Sequence, residues 1–408
     1  MSLNSTPSGE RVHIGIFGKR NAGKSSLINA ITSQSLAIVS ETRGTTTDPV
    51  YKAMELLPLG PVMIIDTPGI DDEGELGALR VKKAYQVLNK CDIALLVIDA
   101  SLGLTKEDEA LWQRVQDKKL PGILVINKIE LLDEMEQAIL TAKLLKLTDS
   151  CRFVSALKGK NITELKEAIA ALRPMTQEKA LVSDLLSPCD IVVMVTPIDS
   201  AAPKGRLILP QQQVLRNIID SGAIAVVVKE TELAEALEKL EGKACLVITD
   251  SQVFGKVNEI VPSSIPLTSF SILMARYKGN LYDAVKSVRA LDNIKSGDKI
   301  LISEGCTHHR QCNDIGTVKM PAWVRKHTGV KPEFVWSSGT EFPEDLSPYK
   351  LIIHCGACML NEREVQHRYK RAAEQGIPMT NYGIAIAYMN GILQRTVEPL
   401  PEIAELLK

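Results

Sequence analysis

Over the first 170 or so residues, short apolar runs alternate with longer stretches in which apolar and polar positions recur at helical spacing. The runs Val12–Phe17, Val62–Asp66, Ile93–Asp99, Ile123–Asn127 and Arg152–Val154 are rich in β-branched residues and almost unbroken by polar ones. That is the pattern of strands covered on both faces. With helical stretches between them, they predict a parallel sheet with crossover helices over residues 11–173. The alternation resumes near Pro188, with strands at Asp190–Val195, Ala223–Val228 and Ala244–Thr249 and helices at Gln211–Ser221 and Glu232–Leu240. This predicts a second, smaller α/β domain over residues 181–270. A long helical stretch, Ser271–Val288, leads into a third domain over residues 271–408. Its strands are Lys299–Ser303, Phe334–Trp336, Leu351–His354 and a short one near Pro378–Asn381. The fold class is therefore α/β in three domains, after a polar, flexible tail at residues 1–10.

Composition narrows the class. At 408 residues, 45% hydrophobic and 24% charged, the chain is too long for one domain and too apolar for wholesale disorder. Lysine and arginine number 48 against 49 acids, a balance that argues against a general nucleic-acid binder. No apolar stretch approaches the roughly 20 residues that span a bilayer, and the polar start does not read as a signal peptide. The expected location is the cytoplasm, with no membrane partner. Eight cysteines in such a chain point to metal or redox chemistry, not disulfides. Cys91, Cys151, Cys189 and Cys245 lie singly beside apolar runs, whereas Cys306, Cys312, Cys355 and Cys358 crowd into the last quarter.

Gly18-Lys19-Arg20-Asn21-Ala22-Gly23-Lys24-Ser25 fits G-x-x-x-x-G-K-[ST] between a predicted strand and a predicted helix. Its glycines let backbone amides face phosphates, and Ser26 belongs to the first helical turn that follows. Lys24 is placed to reach the β- and γ-phosphates and Ser25 to hold Mg²⁺. The strand Val62–Asp66 ends in Asp66-Thr67-Pro68-Gly69, a carboxylate for the metal shell and a glycine amide for the γ-phosphate. Gly44-Thr45-Thr46-Thr47-Asp48 supplies hydroxyls between the two. Asn127-Lys128-Ile129-Glu130 and Ser155-Ala156-Leu157-Lys158 each follow a later strand. Five motifs in order, each at a strand end, define a P-loop nucleotide domain.

From about Arg11 to Leu172 the chain resembles the GTPases of the TrmE–Era branch. The resemblance implies GTP with Mg²⁺, and Thr46 as the metal-sensing threonine with Thr47 its rival. It also implies guanine recognition by Asn127, Lys128 and position 130, with the Ser155 and Ala156 amides at the base carbonyl. Glu130 departs from the family's aspartate, keeping the charge but adding a methylene. Ile70 stands where Ras-like enzymes carry a water-orienting glutamine, and a hydrophobe cannot orient water. The branch often uses K⁺ held by a P-loop asparagine, and Asn21 occupies that position. Asparagine also suits a tight loop turn, a second reading of the same residue. Lys24, Asn21 and Thr46 are the catalytic candidates.

The third domain carries Cys306-Thr307-His308, and, 45 residues beyond His308, His354-Cys355-Gly356-Ala357-Cys358. Each segment follows a predicted strand. If those strands are parallel neighbours, both segments converge at the carboxyl edge of the sheet, where ligands gather. Three thiolates, Cys306, Cys355 and Cys358, suit a 4Fe–4S cluster with one exchangeable iron. His354, His308, Cys312 or an outside ligand is the fourth candidate. A structural zinc and a redox dithiol are the alternatives. C-x-H followed by H-C-x-x-C, joined to a TrmE-like GTPase and a middle α/β domain, is similar to the HydF family, GTPase maturases of FeFe-hydrogenase. That resemblance implies a homodimer that holds a 4Fe–4S cluster and carries a transient two-iron precursor. It implies HydE and HydG, the radical-SAM maturases, and the apo FeFe-hydrogenase as partners. The reading from a different class is an RNA-modification or ribosome-assembly GTPase with a structural zinc.

Overall fold

The computed structural model describes residues 6–32, 48–70, 74–145, 147–173, 179–197, 207–305, 314–339 and 341–407. The chain forms two compact units, Met1–Thr176 and Gln177–Lys408. The first is built on a six-stranded sheet. Its strands are β1 (Val12–Phe17), β2 (Val50–Leu56), β3 (Gly60–Asp66), β4 (Ile93–Asp99), β5 (Gly122–Asn127) and β6 (Cys151–Phe153). They lie in the order β2-β3-β1-β4-β5-β6. Every pairing is parallel except β2 with β3. Strand β2 is absent from the sequence expectation for a physical reason. It is an edge strand exposed at alternate positions, so it lacks the unbroken apolarity of its neighbours. Both faces of the sheet are covered. On one, Ile14 and Ile16 pack against Leu27, Ile28 and Ile31 of the helix Lys24–Thr32; on the other, Phe17, Ile65 and Leu96 pack with Trp112. Each such side chain contributes about 1.5–3 kcal/mol of burial.

The second unit holds two four-stranded sheets, both wholly parallel. One contains β7 (Ile191–Val195), β8 (Ile224–Val228), β9 (Ala244–Thr249) and β10 (Leu267–Ser269), ordered β10-β9-β7-β8. The other contains β11 (Lys299–Glu304), β12 (Glu333–Ser338), β13 (Tyr349–His354) and β14 (Met379–Asn381), ordered β12-β11-β13-β14. One hydrophobic core joins the two sheets, running from Val193 and Val247 through Ile272 and Val285 to Ile302, Ile352 and Val365.

The single helix expected at Ser271–Val288 is instead two, Phe270–Tyr277 and Leu281–Ser287, broken at Lys278-Gly279-Asn280. Gly279 makes the break with φ +75°, and a Cβ there would come within 2.8 Å of Gln366 Nε2. Only glycine fits. Strand β10 was not anticipated because it is three residues long and follows directly on Pro266.

Candidate nucleotide and metal sites

The phosphate loop leaves β1 through Gly18 at φ +140°, where a Cβ would lie 2.3 Å from the Val97 carbonyl oxygen. Gly23, at φ +91°, faces Asn127, whose Nδ2 would be 2.2 Å from a Cβ at that position. Both glycines are therefore steric requirements. Lys24 opens the following helix and donates from Nζ to the carbonyls of Gly18 (2.9 Å) and Lys19 (2.8 Å), which hold the ammonium inside the loop. Asn21 is exposed and sits in the left-handed region at φ +60°. Its backbone thus makes the turn that asparagine favours. Ser26 is exposed on the first turn of the helix.

Asp66 ends β3 against Ser25, with which it shares a hydrogen bond. Burial raises its pKa above the usual carboxylate range, while Lys24, Lys52 and Ser25 pull it down. Its Oδ1 is buried with no partner among the described residues. A half-satisfied buried carboxylate beside a serine hydroxyl is the donor set of a hard divalent cation, so these residues fit Mg²⁺. Thr67 ties the β3 end to β1, donating from both its amide (3.2 Å) and its hydroxyl (2.7 Å) to Ile16 O. Gly69 follows, partly exposed, and Ile70 is packed into the core with Phe17 and Met63. Thr45, Thr46 and Thr47 lie outside the described residues.

Asn127 is the hub of the base end. It is buried, donates from Nδ2 to Ala22 O (3.0 Å), and accepts at Oδ1 from the Ala156 amide (3.0 Å). Lys128 adopts a left-handed backbone at φ +67°, and its ammonium meets Asp99 at 2.6 Å. Desolvation opposes the ionisation of Asp99, but hydrogen bonds from Lys128 and Ser101 hold its pKa below the usual range. Glu130 lies in the short turn Ile129–Leu131, with Oε2 buried and without a partner among the described residues. That acceptor suits the guanine N–H edge. The two amides expected at the base carbonyl are engaged within the protein. Ser155 N donates to Lys160 O at 3.1 Å and Ala156 N to Asn127. The Ser155–Lys160 bridge closes this loop as a tight turn.

In the second unit, β11 and β13 are parallel neighbours with Ser303 opposite His354. Their carboxyl ends therefore lie side by side. Cys355 Sγ accepts from the Gly305 amide at 3.0 Å and the Ala357 amide at 3.4 Å. Cys306 is the next residue after Gly305, and Cys306, His308 and Cys312 lie outside the described residues. Ala357 turns the Cys355–Cys358 loop at φ +56°. Burial raises the pKa of the Cys355 thiol, against the pull of the two amides. Burial, then the charge of Cys355, push Cys358 up to about 11.

Paired thiols that accept backbone amides at a strand end fit a soft metal or iron–sulfur centre, whose sulfurs are tuned by such N–H donors. With Cys306 they would supply its thiolates. Among the described residues no group of three or more metal-binding side chains is assembled.

His354 does not join these thiols as a ligand in this geometry. It is buried, with Nδ1 2.8 Å from Cys355 O and Nε2 3.1 Å from Arg368 Nη1. An Nδ1–H donating to the carbonyl leaves Nε2 to accept from the guanidinium, so both nitrogens are occupied. Burial, reinforced by Arg368, lowers the histidine pKa to about 3.

Arg368, which sequence reasoning missed, is wholly buried. It pairs with Glu364 at 2.8 Å and donates to Ser303 Oγ (3.2 Å) and Gly339 O (2.8 Å). Helical spacing carried the signal, since Val365, Arg368, Tyr369 and Ala372 share the buried face of Glu362–Glu374. Tyr382, also unpredicted, donates to Glu304 Oε1 at 3.1 Å behind Cys355.

Residues 13–128 match a 50S ribosome-binding GTPase model. Residues 181–279 match the hydrogen maturase F dimerization domain and residues 282–399 its tetramerization domain. The two maturase matches together span more than half of the chain. The chain belongs to the hydrogen maturase F family. It carries a GTPase domain followed by the family's two oligomerization domains.

Curated relatives include the tRNA modification GTPase MnmE of Acetivibrio thermocellus, 30% identical over 237 residues, covering 57% of this chain and 50% of that protein. MnmE of Helicobacter pylori J99 is 35% identical over 192 residues, covering 46% of this chain and 41% of that protein. The chain spans about half the length of these curated relatives. Among solved structures, Era of Aquifex aeolicus bound to GDP.AlF4- is 23% identical, with a TM-score of 0.37 over 57% of this chain and 98% of that chain. No described helix is long and apolar enough to cross a membrane.

Proposed function

We propose that this family member is a GTP-hydrolysing scaffold that holds a 4Fe–4S cluster and delivers a two-iron precursor to apo FeFe-hydrogenase. The observation that carries the reading is the adjacency of Cys355 and Gly305, which brings the C-x-x-C loop to the residue preceding Cys306 at one sheet edge. HydE and HydG are the proposed sources of the precursor, and the cytoplasm its location. Mg²⁺ is held by Ser25, Asp66 and Thr46, and K⁺ at Asn21 stands in for a catalytic arginine. Ile70, buried as it is, orients no water.

GTP binding closes the segments around Thr46 and Gly69 and biases the docking or release of partners. A homodimer forms through β8, an edge strand whose Ile224 and Val227 are exposed within the dimerization match. The likeness to MnmE favours a tRNA-modification role as second reading, but residues 181–399 match maturase models instead. The test is transfer of hydrogenase activity to apo FeFe-hydrogenase after loading by HydE and HydG. The reading predicts activation by the wild-type chain, loss in Cys355→Ser, and altered partner exchange in Lys24→Ala. Normal exchange by Lys24→Ala would overturn the switch.

A further inference from the structure

Lys278 caps the helix Phe270–Tyr277, yet its side chain turns into the metal-binding end of the unit. It is 2% exposed, and its Nζ donates to Leu360 O at 2.9 Å. Leu360 lies two residues beyond Cys358, so the ammonium grips the loop that carries both thiols. The Tyr277 ring lies 5.7 Å from the same ammonium. Its own backbone is held from the other side, where Gln366 donates to Lys278 O. Cys358 packs against the hydrophobic cluster to which the same helix contributes Leu273 and Met274.

Among the described residues, the charged side chains that act on the Cys355 and Cys358 thiols are Arg368, Glu304 and Lys278. Arg368 is neutralised by Glu364 within hydrogen-bond distance, and Glu304 is held by Tyr382 beside Cys355. Lys278, buried and bonded to Leu360 O two residues beyond Cys358, is the cation fixed on the thiol loop itself. A buried cation next to anionic sulfur lowers the free energy of each added negative charge, and net charge and burial set iron–sulfur potentials.

We infer that Lys278, contributed by the segment matching the dimerization domain, sets the charge of the metal centre. Its buried ammonium anchors the Cys355–Cys358 loop at Leu360 and holds positive charge on that loop. In its cluster form the inference rests on the proposed 4Fe–4S site. Lys278→Met keeps the length and packing of the stem and removes the charge, and Lys278→Arg keeps the charge.

The full chain is reconstituted anaerobically with iron and sulfide, and its midpoint potential is read by EPR redox titration. In parallel, the alkylation rate of the thiols by iodoacetamide is measured on the metal-free chain at fixed pH. Lys278→Met is expected to retain iron, to shift the midpoint to lower potential, and to alkylate several-fold more slowly at Cys358. Lys278→Arg is expected to return both values toward wild type. An unchanged midpoint in an iron-loaded Lys278→Met overturns the inference. If that variant takes up no iron, slowed alkylation rescued by arginine supports the inference and an unchanged rate overturns it. If the wild-type chain itself yields no cubane signal, the cluster reading fails, and the alkylation comparison alone decides the role of Lys278.

Discussion

Replacing Arg368 by methionine tests the buried framework behind the thiols. The guanidinium is wholly buried, and the Glu364 side chain is 5% exposed. Removing the cation leaves that carboxylate inside the core without its partner. It also strips donors from Ser303 Oγ, His354 Nε2 and Gly339 O. Breaking a buried pair in this way costs about 3–5 kcal/mol. The Arg368→Met/Glu364→Leu double variant removes both charges and is expected to recover much of the loss. Urea unfolding of the full chain in a Trp112→Phe background lets Trp323 and Trp336 report on the second unit alone. A single variant that loses less than about 1 kcal/mol, or a double variant as unstable as the single, would refute the reasoning.

Further outcomes follow from the same geometry. His354 titrates at about 3 in the folded chain against an ordinary value of 6.5. The unfolded chain therefore binds the extra proton first. Stability from this group is complete above pH 6.5 and declines as pH falls toward 3, with a slope approaching about 1.4 kcal/mol per pH unit. Urea midpoints measured across that range check it, and His354→Gln is expected to flatten the slope. Asp66→Asn is expected to weaken Mg²⁺-dependent GTP binding about 10- to 100-fold and to leave Mg²⁺-free binding little changed, by calorimetry with and without the metal. An identical Mg²⁺ dependence would exclude Asp66 from the metal shell. Glu130→Ala is expected to lose GTP affinity about tenfold or more while ATP affinity stays flat, read by competition with a fluorescent nucleotide. Parallel loss for both nucleotides would place Glu130 in the loop framework instead of the base site.

Much of this architecture was legible because fully covered parallel strands have little choice of composition. β1, β4, β5, β7, β9 and β11 all stand where unbroken apolar runs stand in the chain. β2 escaped because one of its faces is wet, and the kink at Gly279 escaped because a helix break of three residues leaves the apolar period almost intact. The glycines and Asn127 of the nucleotide site were legible from motif spacing, since backbone approach and a single polar hub admit few substitutes.

The metal site was only partly so. Spacing brought Cys355 and Cys358 to the strand end, but whether His354 ligates depends on which groups meet its two nitrogens. Those groups are Cys355 O and Arg368, the latter on a helix 14 residues away in sequence. The Ser155 and Ala156 amides show the same limit, because their partners are set by how the loop closes.

Iron, sulfide and zinc content with EPR, on anaerobically purified and reconstituted full-length chain, tests the central claim most directly. The account predicts roughly four irons per chain with a reducible cubane signal, lost when Cys306, Cys355 or Cys358 is replaced. One zinc per chain, with no EPR signal under reduction, would contradict it.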